Sequence, residues 1–139
     1  MESIAVDRRQ KRSQETTEAI ELQLEHLADT CELEHLVLAD SSGLMLACSG
    51  SSDSGQALAA YAPVFRRHLE QGKRRRVMQK LGDLLPGVSG QRLTVRRFRL
   101  NGEHHFLCVV GPEETVRQAN LYRAVTGIRR IVAETTTAA

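Results

Sequence analysis

His104, His105 and Cys108 lie close together and are of the types that ligate metals or pair in nucleophilic catalysis. Their spacing argues against a shared centre. On a strand, His104 and Cys108 stand about 13 Å apart at ~3.3 Å per residue, too far to hold one ion, and His105 faces the other way. They read as partly buried strand residues, and no metal site is assigned. Gly82 and Gly87 have the separation of a phosphate-binding loop, but Val88 stands where that loop requires Lys. Gly50-Ser51-Ser52-Asp53-Ser54-Gly55 has the wrong spacing for a nucleophile elbow. Cys31 falls on an apolar helix stripe and Cys48 on an apolar strand, where a thiol behaves as a small hydrophobe. Three cysteines at unrelated spacings suit reduced thiols rather than a disulfide framework. No catalytic residue and no cofactor is assigned, and the chain reads as a non-enzyme.

The chemistry that the chain does offer is charge. A formal net charge of +2 conceals a segregation. Residues 13–53 hold Glu15, Glu18, Glu21, Glu25, Asp29, Glu32, Glu34, Asp40 and Asp53 and no Lys or Arg. Residues 66–99 hold eleven Lys or Arg against Glu70 and Asp83. Such patches steer charged partners and attract one another, although charged residues commonly do no more than solvate a face. On this ground the candidate partner-binding residues are Arg66, Arg67, Lys73, Arg74, Arg75, Arg76, Arg97 and Arg99. The basic region is also suited to the phosphates of a nucleic acid or another polyanion. Stacking aromatics are few, because Phe65, Phe98 and Phe106 are each accounted for as core.

The elements that position these residues follow from periodicity. Residues 1–12 read as a flexible basic segment. A helix is expected from Ser13 or Thr17, with Ile20, Leu24, Leu27 and Cys31 as its apolar stripe and Glu15, Glu18 and Glu21 near its positive end. Two apolar runs, 35–39 and 44–49, flank Asp40-Ser41-Ser42-Gly43 and form a hairpin whose strands are covered on both faces. A second helix carries Leu58, Ala62, Phe65 and Leu69 on one side, and Pro63 should kink it or delay its start. Asp53 or Ser54 is its expected cap. A basic helical extension from Lys73 ends near Gly82, and 82–90 is a loop. Asn101-Gly102 closes a second hairpin, 92–100 with 103–111. Leu93 and Val95 differ in phase from Phe98 and Leu100, which suggests a β-bulge at Arg96-Arg97. Pro112 should open the last helix, with Leu121, Val125, Ile128 and Val132 buried and Gly127 marking close packing. Thr135–Ala139 should fray.

The chain has the length and composition of one globular domain, 13–134, with 41% hydrophobic and 26% charged residues. No apolar run approaches the roughly 20 residues that cross a bilayer, and the start of the chain lacks a signal-peptide pattern. Cytoplasmic location without membrane insertion is the expectation. The fold class is an α/β (α+β) sandwich: an antiparallel sheet of two hairpins, four or five strands, flanked by three helices in the order α-β-β-α-β-β-α.

That order, with Leu-Val-Leu-Ala-Asp-Ser-Ser-Gly-Leu-Met-Leu-Ala-Cys-Ser-Gly at 36–50, resembles the roadblock family of dynein light chains and their bacterial relatives. The likeness continues through the Ala-rich segment 57–62, the strand Phe106–Val110, and Pro112, Glu113, Ala119, Asn120 and Leu121, covering about residues 15–134. Longin and profilin-like domains have hydrophobic hairpins of the same kind. The family carries a fifth strand between its second and third helices; here it would have to lie in 73–90, which reads as basic helix and loop. The resemblance implies a protein-interaction module that binds Ras-like small GTPases as scaffold or GTPase-activating partner, dimeric with itself or a related chain. It brings no catalytic residue to any position of this sequence.

Overall fold

The computed structural model describes residues 2–86 and 92–137. Its elements are α1 (Glu2–Thr30), β1 (His35–Asp40), β2 (Met45–Ser49), α2 (Ser52–Glu70), α3 (Arg74–Leu84), β3 (Arg92–Leu100), β4 (Glu103–Gly111) and α4 (Glu114–Thr137). The strands form one antiparallel sheet in the order β2-β1-β4-β3. The two hairpins therefore join through β1 and β4, whose residues are apolar at successive positions. Leu36, Leu38, Leu107 and Val109 enter the core beneath α1 and α4. Val37, Ala39, Phe106, Cys108 and Val110 enter a second core beneath α2 and α3. This is the layered sandwich expected from the sequence.

Several elements differ from the sequence reading. α1 is helical from Glu2, earlier than the start at Ser13 or Thr17 expected from periodicity. Glu15, Glu18 and Glu21 consequently lie mid-helix, beyond the reach of the positive end of the dipole. Four helices flank the sheet instead of three, because Gly72 (φ +73°) turns the chain between α2 and α3. α3 occupies the stretch where a fifth strand was sought, up to Leu84; residues 87–91 lie outside the described part. α4 continues to Thr137, past the expected fraying point. It starts two residues after Pro112, with Arg117 N–H donating to Glu113 O at 3.0 Å. α2 starts at Ser52 despite Pro63, with Ser51 as its cap.

The bulge is also elsewhere. β3 pairs with β4 without a break, Arg92 opposite Gly111 through Leu100 opposite Glu103. Regular alternation sends Leu93 and Val95 to one core and Phe98 to the other, so the phase change reflects two covered faces. The irregularity falls in β2, where Leu38 and Ala39 pair with Ala47 and Met45 and leave Leu46 extra. β2 is an edge strand, and Leu44 and Leu46 stay exposed rather than covered.

Both turns are built from their residues. Asn101 (φ 53°) and Gly102 (φ 79°) form the left-handed pair of a two-residue hairpin. In the first hairpin the Asp40 carboxylate accepts from Ser42 N–H (2.9 Å), the Ser42 hydroxyl (2.7 Å) and Leu44 N–H (2.9 Å). The bond from Leu44 N–H, then that from the Ser42 hydroxyl, holds its pKa below the ordinary carboxylate range. Gly43 (φ +89°) lies against α2, where an added Cβ would stand 3.2 Å from Ala60 Cα and 3.3 Å from Ala59 O. That carbonyl is the one Pro63, lacking an N–H, leaves without its helical donor. The first turn and α2 are thus fitted backbone to backbone.

Arg117, fully buried, ties α4 to the sheet: its Nε donates to Thr94 Oγ1 at 2.7 Å and an Nη donates to Gly111 O at 2.8 Å. Gly127 admits the Gln23 amide of α1, which donates to Arg123 O at 3.3 Å. The expectation of close packing at Gly127 is met there.

Gly43→Ala should cost about 2 kcal/mol through positive-φ strain and the contact with α2, measured by urea denaturation. Arg117→Ala should cost about 3 kcal/mol, since it deletes buried charge-assisted bonds and opens a cavity. Asp40 contributes stability that is complete above the unfolded carboxylate pKa near 4 and lost as pH falls through its lower folded value. Urea midpoints from pH 7 to pH 3 should therefore decline less in Asp40→Asn than in the native chain; parallel profiles would remove this role.

Candidate functional site

The residues with chemical potential sort into a core group and a surface group. In the core, Cys108 is fully buried, and burial pushes its thiol up to about 12, which leaves no thiolate for nucleophilic work. Cys48 is also raised by burial. His104 is exposed opposite Arg99, whereas His105 lies on the other face beside the Phe98 ring, its Nδ1 3.1 Å from Glu103 O. The three residues of the opening motif are thus not brought together. Among the described residues no group of three or more His, Cys, Asp or Glu is arranged to hold a metal. A cleft of about 300 Å³ between α1, α4 and the hairpin turns is lined by Thr17, Ile20, Leu38, Leu46, Leu100 and Val132 among others, none of them titratable. It can shelter an apolar group but offers no acid, base or nucleophile.

The surface group is the cationic one. Arg66 and Arg67 end α2, Lys73 stands in the turn, and Arg74, Arg75 and Arg76 form the first turn of α3. The turn is tight: Gln71 N–H donates to Arg67 O (3.1 Å) and Lys73 N–H to His68 O (2.8 Å). Six cations are therefore held at one corner. Val77 and Leu81, both fully buried, anchor α3 behind them, with Leu85 following. Arg97 and Arg99 continue the β3 phase of Leu93 and Val95, and so lie on the face that α2 and α3 cover. Both are exposed.

These charges have little to balance them. Arg66 pairs with Glu70 at 3.2 Å, one turn along α2. Lys80 sits over the Tyr61 ring at 4.8 Å, adding a further cation to the same side. α3 has no acidic residue in its first turn and no side-chain cap, so its positive end is lined by like charge. That arrangement opposes the helix dipole and is tolerated because the other side of α3 is packed. It produces a concentrated positive potential suited to an acidic partner surface.

The open edge of β3 is partly blocked. Arg129 of α4 reaches Arg99 O from Nε (3.4 Å) and Nη2 (3.3 Å), with its guanidinium 5.7 Å from the centre of the Phe98 ring. Sequence reasoning missed both Arg129 and Arg117. Each reads as an ordinary polar position of an amphipathic helix, and only the chain's return past β3 gives it a backbone carbonyl to bind.

No protein-family model and no curated protein matches the chain. Among solved structures, Myxococcus xanthus MglB matches with probability 1.00 and a TM-score of 0.51, over 86% of this chain and 91% of that chain, at 13% identity. No helix among the described residues is long and apolar enough to cross a membrane. At such identity the likeness is one of fold, and it agrees with the element order and hairpin motif read from the sequence: the chain has a roadblock-type fold, shared with MglB.

Proposed function

We propose that this chain is a non-enzymatic, cytoplasmic interaction module that regulates or scaffolds a small Ras-like GTPase, acting as a dimer with itself or a related chain. The observation that carries this reading is the roadblock-type sandwich extending over nearly the whole chain, for which the family resemblance supplies the class of partner. The cationic corner supplies the contact: Arg67 and Arg74–Arg76 are exposed, rigidly placed by α2 and α3, and engaged in no ion pair among the described residues. A GTPase-activating role would work by arranging the partner's own catalytic groups, since what this surface chiefly offers is guanidinium and ammonium groups.

The same cations support a second reading, a polyanion-binding surface across residues 66–99. The two readings differ in salt behaviour. Nucleic-acid binding loses affinity with a log–log slope proportional to the number of phosphates neutralised, whereas a protein interface retains a packed, salt-insensitive part.

Reversing Arg74, Arg75 and Arg76 to Glu should weaken binding to a cognate Ras-like GTPase by roughly tenfold or more, as expected when several interfacial charges change sign. Affinity capture from native cells would identify the GTPase, and titration calorimetry would measure the change. Unchanged affinity would discard the corner as the contact. Binding to DNA or RNA with a steep salt slope, and no GTPase captured, would favour the second reading.

A further inference from the structure

The length and charge order of α1 point to a second surface, which bears on the self-pairing in the reading above and not on its GTPase contact. The helix has 29 residues and spans about 43 Å at ~1.5 Å per residue. Among its described side chains the first buried one is Ile20; every side chain from Gln10 to Glu15 is exposed, with Thr16 and Thr17 half-buried. A polar helical stretch such as residues 10–15 gains nothing from the core and is marginal in water by itself.

One stripe of α1 runs at alternating steps of three and four: positions 8, 11, 15, 18, 22, 25 and 29. This is the spacing of a coiled-coil seam. Position 22 lies about 200° around the helix from Ile20, so the stripe faces away from the sheet. It reads Arg8, Lys11, Glu15, Glu18, Leu22, Glu25 and Asp29, all exposed, with Leu22 at 66%. None of its charges makes an ion pair among the described residues. Cations first and carboxylates last is also the order that the helix dipole disfavours, so intrachain stability does not account for it.

We propose that α1 is a self-recognition element, pairing antiparallel with α1 of a second copy so that Arg8 meets Glu18 and Lys11 meets Glu15 across a two-fold axis near residue 13. The charges select this register. Parallel pairing sets Arg8 against Arg8 and Glu15 against Glu15. Sliding the antiparallel pair by one heptad sets Glu15 against Glu18 in one direction and Arg8 against Lys11 in the other. Only the intermediate register sets each of these four charges against its opposite, and Leu22 then falls within the overlap of the two helices. The pairing is isologous and closes on two copies. It uses the outer face of α1, on the opposite side of the sheet from the cationic corner, so both contacts can operate together.

The test uses the full chain with two variants. Arg8→Glu with Lys11→Glu makes the first four stripe charges acidic, and Glu15→Lys with Glu18→Lys makes them basic. By sedimentation equilibrium in about 50 mM salt, where surface charges are weakly screened, the native chain should self-associate and each variant alone should lose that step. Mixing the two should restore it, as should the four substitutions combined in one chain. Recovery on mixing cannot come from misfolding of either variant. If the native chain, the mixture and the combined variant all show the same mass distribution as Arg8→Glu/Lys11→Glu, the proposal is overturned. Loss of GTPase binding without any change in association would count against the Proposed function alone.

Discussion

The antiparallel contact between β1 and β4 is the constraint on which the molecule depends. Each hairpin alone is a two-stranded ribbon, which is marginal in water. Side by side, they make a sheet whose two middle strands present apolar residues to both faces, Leu36 and Leu38 on one and Val37 and Ala39 on the other. Two separate cores follow, and each needs its own pair of covering helices. The buried guanidinium of Arg117 and the packing of α3 each help to close one of those cores. The sheet's outer strands are less protected, and the chain deals with them by different means: a bulge at Leu46 on β2, and arginines on and over β3.

Much of this was legible in the residues. Asn101-Gly102 and Asp40-Ser41-Ser42-Gly43 fixed both hairpins, because few residues suit left-handed turn positions and few side chains can gather turn N–H groups as Asp does. The continuous apolar runs mark both arms of the first hairpin as covered on both faces, which holds for β1 and not for the edge strand β2. The misreadings have physical causes. Periodicity along β3 was read as a slip because one strand served two cores, and a single sequence does not show which face each residue meets. Periodicity puts the start of α1 at Ser13 or Thr17 because the core-facing stripe begins only at Ile20, and the exposed stretch 10–15 has no such stripe to detect. Pro63 was expected to disturb α2, but the carbonyl it releases is accommodated where Gly43 passes close to Ala59 and Ala60.

The candidate surface was only half legible. Composition located the cations, yet their concentration at one corner depends on Gly72 folding α3 back against α2. The strand arginines join that side because of their phase with Leu93 and Val95, a relation that becomes certain only when β3 is seen to run without a bulge. Energetically the corner is a local loss, since cations crowd a helix start and no carboxylate answers them apart from Glu70. The fold tolerates this because Val77 and Leu81 bury enough apolar surface, roughly 2 kcal/mol each, to hold α3 regardless.

The antiparallel pairing of α1 with α4 has a practical consequence. Both helices lie on one face of the sheet, where Thr17 and Val132 share a cleft, while the arginine-rich corner lies on the opposite face. A fluorophore attached to the outer face of α1 or α4 would project clear of α2 and α3 and leave that corner free to be occupied.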